Sequence, residues 1–304
     1  MLVRRSLHSQ SGASRIDRAP PLQLITIVAL AYALPLLAFH IVAAQTGAVM
    51  AVLFMSAALC WRDRPIVTGV LIGLMSIKPQ MGLLIPIALV AAGRWQTIAS
   101  AVATIGVLAA SVTLWLGGSI WYDYFAMTQI FASFLAGGHE GIPHLAAAPY
   151  VSLIAIGAPD LLASVVAGIC LMSAVVFVFN AFRARSGDGR DDLRLAILVS
   201  ATPMATPYAL SYDLPILILA AVPIIVRVWL GRMNVVAVVV LAAVVAAPAG
   251  QLAFVHVGIP FGLLALAAWV AVLLHCYQQE GTQAVSGTAC GTFGNALSAQ
   301  AAPH

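Results

Sequence analysis

The stretch RDRPIVTGVLIGLMSIKPQMGLLIPIALVAAGR, residues 62–94, decides how this chain is built. It holds two apolar runs, 65–77 and 80–93, with arginines at both outer ends and one break at Lys78-Pro79-Gln80. Proline lacks a backbone N–H and cannot continue the helix before it. Each run is shorter than the ~20 residues a perpendicular helix needs to cross the hydrocarbon core. Irregular backbone at membrane depth survives only where protein or a water-filled cavity covers it. The Lys78 turn is therefore expected to line a cavity rather than to face lipid.

The flanking sequence has the same character. Of the 304 residues, 62% are hydrophobic and 8% charged, against about 25% charged in an ordinary soluble domain. A soluble fold of this size needs a charged surface that these residues cannot supply, so the surplus apolar surface must face lipid. Further apolar segments run at 22–44, 47–61, 96–116, 161–182, 194–206, 209–226, 233–254 and 258–277. A second polar break, Thr206-Pro207-Tyr208, divides 194–206 from 209–226. The expected fold class is all-α, a polytopic transmembrane helix bundle of about nine or ten spans, some short or broken. Three regions are expected: a polar cytoplasmic segment at 1–21, a transmembrane domain at 22–277 and a disordered cytoplasmic tail at 278–304. The tail is rich in Gly, Ala, Ser, Thr and Gln and buries too little apolar area to offset chain ordering. The run after residue 21 is too long for the core of a cleaved signal peptide.

Arginines set the expected orientation. Arg62, Arg64, Arg94, Arg183, Arg185, Arg190, Arg194, Arg227 and Arg232 all fall on the cytoplasmic side when crossings are counted from an inside N-terminus. Lys78, the single lysine, is then the one lysine or arginine on the opposite face. The net charge of +4 is scattered singly or in pairs between apolar runs, a membrane-loop pattern that excludes nucleic acid as a partner. The four cysteines show neither metal spacing nor a disulfide framework.

The far face collects Gln45, Lys78 and Gln80, and a loop over 117–150 carrying Trp121, Tyr122, Asp123, Tyr124, His139, Glu140 and His144. It also collects Tyr208, Tyr212, Asp213 and His256. Lys78 reads either as a cation for a lipid-linked phosphate or as a side chain snorkelling to the head groups. Asp213 precedes the apolar run 214–226; it reads as a complement to the helix dipole, or as a carboxylate that holds a sugar hydroxyl or pairs with Lys78. Tyr208 and Tyr212 suit stacking on a sugar, and equally an aromatic belt. No further ligand is placed by spacing beside His139, Glu140 and His144, so no metal site is expected. No cofactor motif is present.

Two stretches carry a family resemblance: the 64–95 segment with Lys78-Pro79-Gln80, and Ala205-Thr206-Pro207-Tyr208 followed by Tyr212-Asp213-Leu214, with Ala44-Gln45-Thr46-Gly47 upstream. In order and spacing over about 40–230, they resemble glycosyltransferase family 87. The resemblance implies a GT-C type fold and transfer of mannose or a related hexose from a polyprenyl-phosphate donor to a lipid or glycan acceptor at the extracytoplasmic face of the plasma membrane. It implies a donor site from Gln45, Lys78, Gln80, Tyr208, Tyr212 and Asp213. Members of that family begin with a further helix and a long extracytoplasmic loop bearing an acidic base. Residues 1–21 show neither, so the expectation is a shortened member that lacks the usual base and transfers slowly or not at all, with Glu140 and Asp123 as the candidates to replace it. A secondary transporter, or a non-catalytic remnant or assembly partner, are the rival readings.

Overall fold

The computed structural model describes residues 45–136, 146–183, 190–206 and 208–300. Among them are eleven α-helices and no strand beyond one isolated bridge, which bears out the all-α helical bundle. The first helices are α1 (Gly47–Cys60) and α2 (Pro65–Leu74), followed by 3-10 turns Met75–Ile77 and Pro79–Gly82 and by α3 (Ile85–Ala91). Next come α4 (Trp95–Leu116), α5 (Ile120–Ala136), α6 (Pro149–Ala155) and α7 (Asp160–Arg183). The chain closes with α8 (Asp191–Ala205), a 3-10 helix Ser211–Ile216, α9 (Leu217–Trp229), α10 (Val235–Val257) and α11 (Phe261–Gln300). Three helices are long and apolar enough to cross a membrane: Trp95–Leu116, Asp160–Arg183 and the Phe261–Thr282 part of α11. Five shorter apolar helices accompany them, Pro65–Ile77 and Pro79–Ala91 among them.

The core forms around α8, which buries residues on every side, among them Leu193, Ile197, Ser200 and Thr202. Its burial follows from its neighbours, since α8 is enclosed by α7, α9 and α11. Trp269 of α11 is fully buried there, its indole N–H donating to the Ser200 hydroxyl at 3.0 Å. By contrast α4 leaves most of its length uncovered, with Val102, Val107 and Leu114 exposed. What water would reject, lipid accepts.

Membrane helices associate by close packing, because lipid tails are as apolar as leucine and give helices no hydrophobic reason to meet. Gly69 and Gly73 of α2, one turn apart, provide that closeness against α4. A Cβ at Gly69 would lie 2.5 Å from the Thr97 carbonyl oxygen, and one at Gly73 would lie 2.5 Å from the Thr104 Cβ. The Ser100 hydroxyl donates across the same seam to the Ile66 carbonyl at 2.8 Å.

Among the described residues, Arg62, Arg94, Arg194 and Arg227, which sequence counting assigned to one face, are held at one end. Asp191 accepts from Arg62 at 2.5 Å and from Arg194 at 2.6 Å. Arg227, 1% exposed, donates to Asp192 at 2.9 Å and, bidentately, to Glu280 at 2.8 and 2.9 Å. Arg94 donates to the Trp61 carbonyl and stacks over its ring.

One expectation is corrected. Residues 117–150 are not simply a loop: 120–136 form α5 and 149–155 form α6. Both segments are largely apolar, which the polar and glycine-rich stretches on either side obscured. The helix α11 spans Phe261–Gln300, and its Glu280 is tied to Arg227. The apolar segment 22–44 lies outside the described residues.

Candidate functional site

Lys78 precedes a proline, and the proline ring clashes with helical backbone in the residue before it. Lys78 accordingly adopts φ −132°, ψ 76°, closing one 3-10 turn and opening the next. The same logic operates 128 residues later, where Thr206 is extended at φ −84°, ψ 149° and ends α8. The chain then makes an antiparallel bridge, Ala146 with Leu210, and the Ala147 N–H donates to the Ala209 carbonyl at 2.8 Å. The 3-10 helix that follows closes on itself, the Asp213 N–H donating to the Leu210 carbonyl at 2.8 Å.

These two breaks meet. Lys78 Nζ donates to Asp213 Oδ1 at 2.5 Å, with the Lys78 side chain 12% and the Asp213 side chain 4% exposed. Asp213 Oδ2 accepts the Leu210 N–H at 3.2 Å. The Tyr212 ring lies beside the ammonium, its centroid 4.9 Å from Nζ, within cation–π range. Tyr208 is half-buried and packs edge-to-face on Phe131 of α5, centroids 5.4 Å apart. A lysine ammonium has three N–H donors, and Asp213 occupies one. Removing one partner of a buried pair typically costs about 3–5 kcal/mol, because the other charge stays buried uncompensated.

Of the eight residues singled out from sequence, the structure joins Lys78, Tyr212 and Asp213 directly and sets Tyr208 in the same small apolar cluster as Tyr212, Ala146 and Leu210. Gln80 sits half-buried two residues beyond Lys78, in the turn Pro79–Gly82. Gln45 is half-buried just before α1. Asp123 is exposed in the first turn of α5. Glu140, with His139 and His144, lies outside the described residues. Sequence reading missed Phe131, whose contact with Tyr208 spans 77 positions and leaves no local signal. It also missed Arg227 and Glu280, read as a loop residue and a tail residue. An apolar cleft lined by Phe54, Met55, Asp192 and Pro223 lies at the arginine end, away from Lys78.

A lipid-exposed helical bundle with a lysine–carboxylate pair at two proline-broken helices, set at the end opposite its arginines, is a polytopic membrane protein with a built polar site. The chain belongs to glycosyltransferase family 87, whose profile matches residues 1–207, more than half of the 304. It is thereby a membrane glycosyltransferase. The match takes in Gln45, Lys78, Gln80, Asp123 and Glu140 and stops one residue before Tyr208. No curated protein and no solved structure matches the chain.

Proposed function

We propose that this chain transfers a hexosyl group, mannosyl by its family resemblance, from a polyprenyl-phosphate donor to a lipid or glycan acceptor at the extracytoplasmic face of the plasma membrane, with both termini cytoplasmic. The observation that supports this most is the meeting of Lys78, Tyr212 and Asp213 at the end of the bundle opposite the arginines. Positive-inside bias makes the arginine end cytoplasmic, and so makes the Lys78 end the outer one.

In this reading the donor phosphate takes up donors of the Lys78 ammonium and shares them with Asp213, while the Tyr212 and Tyr208 rings and the Gln45 and Gln80 amides border the sugar. An acceptor hydroxyl attacks the anomeric carbon from the face opposite the phosphate. The new C–O bond forms as the bond from that carbon to the phosphate oxygen breaks. The electron pair leaves with the polyprenyl phosphate, held by Lys78, and the hydroxyl proton passes to a carboxylate, Glu140 or Asp123. General-base catalysis of this kind contributes typically 10²–10⁴-fold.

The test is transfer from a labelled polyprenyl-phosphate hexose in proteoliposomes, with donor binding measured alongside. Lys78→Ala should weaken donor binding roughly 10- to 100-fold, the equivalent of the 1.5–3 kcal/mol of a hydrogen bond to a charged group. Lys78→Arg should keep part of it. Unchanged donor affinity in a folded Lys78→Ala protein would reduce the lysine to a structural partner of Asp213 and sink the reading.

A further inference from the structure

The helix α5 is mostly apolar, with Asp123, Thr128, Gln129 and Ser133 scattered around it, and nothing among the described residues covers most of it. Tyr122 is 78% exposed, Phe125 62%, Met127 64% and Ile130 60%. A helix that exposes large apolar side chains on every side is stable against lipid or protein, not in water. Its hydroxyls are satisfied as they are in a membrane span. Thr128 donates to the Phe125 carbonyl at 2.7 Å and Ser133 to the Ile130 carbonyl at 2.8 Å. Ser111 and Thr113 do the same on the outer part of α4, donating to Val107 at 2.7 Å and Ala109 at 2.8 Å.

Continuity with that span points to the occupant. The chain leaves α4 at Gly117, φ +84°, and turns at once into α5. The Trp121 indole N–H then donates back to the Thr113 hydroxyl at 2.8 Å, fixing the corner. Trp115, 84% exposed, and Leu116 belong to the lipid-facing surface of α4, and Tyr122 and Phe125 continue it around that corner. Crossing number limits how α5 lies. Both neighbouring spans end in arginine at the same pole, Arg94 before α4 and Arg183 at the end of α7. The segment 117–159 between them therefore leaves and re-enters on one side and makes no net crossing as a whole. The 17 residues of α5 rise roughly 25 Å at 1.5 Å each, short of the ~30 Å hydrocarbon core.

We infer that α5 is an interfacial helix, embedded in the acyl–head-group boundary of the lipid leaflet at the Lys78 end, with the bilayer surface itself as its partner. Its Phe131 reaches Tyr208, so this helix forms the lipid-side border of the Lys78–Asp213 site and brings that site to head-group level. The inference rests on the arginine polarity and on exposure, not on the transfer reaction, and it stands if that reaction proves different.

Single cysteines at 122, 125, 127 and 130, in a full-length protein with its own four cysteines replaced, carry a nitroxide in phosphatidylethanolamine–phosphatidylglycerol vesicles. Collision with oxygen, which partitions into lipid, is compared with collision with a water-soluble nickel chelate. Val107→Cys provides a deep reference and Asp63→Cys an aqueous one. Oxygen access should exceed nickel access at the α5 positions, with depth varying around the helix rather than along it and centred at about 5–10 Å. Nickel-dominated access would show the helix in water, and a depth profile passing through the bilayer centre would show a true span. Protection from both reagents would show a second copy or another protein covering it. Each of these three results overturns the inference.

Discussion

Asp213 and Lys78 lie 135 positions apart, yet each was readable as unusual: one lysine in the chain, and one acid at the head of an apolar run after a proline break. That legibility has a physical basis, since an ionisable group near lipid is costly and persists for a reason. Their pairing was one of several open readings, because sequence spacing says nothing about which broken ends meet. Asp213→Asn keeps the shape and the Leu210 N–H contact but leaves the ammonium half-buried without its counter-charge. Thermal unfolding in detergent should drop, by the equivalent of roughly 3–5 kcal/mol. The double variant Lys78→Met/Asp213→Asn should recover most of that stability while leaving donor binding lost. A double variant that regains binding would show that neither charge faces the donor.

At the scale of helices, length and apolar content predicted α4 and α7 almost to the residue, because a lipid-facing span must be uniformly apolar and long. Helices α5 and α6 escaped, because glycine-rich and polar neighbours on both sides made 117–150 look like loop. The Gly69/Gly73 seam is the clearest element-level test. An added methyl at either position meets α4 backbone or a Cβ at 2.5 Å, so α2 and α4 must separate. Overpacking of this kind costs typically 1–3 kcal/mol. Gly69→Ala and Gly73→Ala should each lower the Tm in detergent by several degrees, whereas Gly106→Ala, which meets open space, should leave it unchanged or slightly higher. Equal behaviour of all three would remove close packing as the reason for those glycines.

Over the whole molecule, arginine counting anticipated a pole where the structure places two ionic clusters, Arg62 and Arg194 on Asp191, and Arg227 on Asp192 and Glu280. What it missed was depth. Arg227 is sequestered rather than solvated, since its charge is matched by carboxylates from two other helices. Sidedness is open to an impermeant thiol reagent on single-cysteine variants in intact cells. Positions 63 and 187 should stay unlabelled until the membrane is opened, and labelling at 187 from outside would invert the topology. The Arg227–Glu280 bond also imposes an order in time. The two residues are 53 positions apart, which at the usual 5–20 residues per second of synthesis is roughly 3 to 10 seconds. Through that interval a newly inserted α9 holds its arginine against Asp192 alone. Only the arrival of α11 adds the bidentate Glu280 contact, so this part of the bundle has a latch that cannot close before α11 is made.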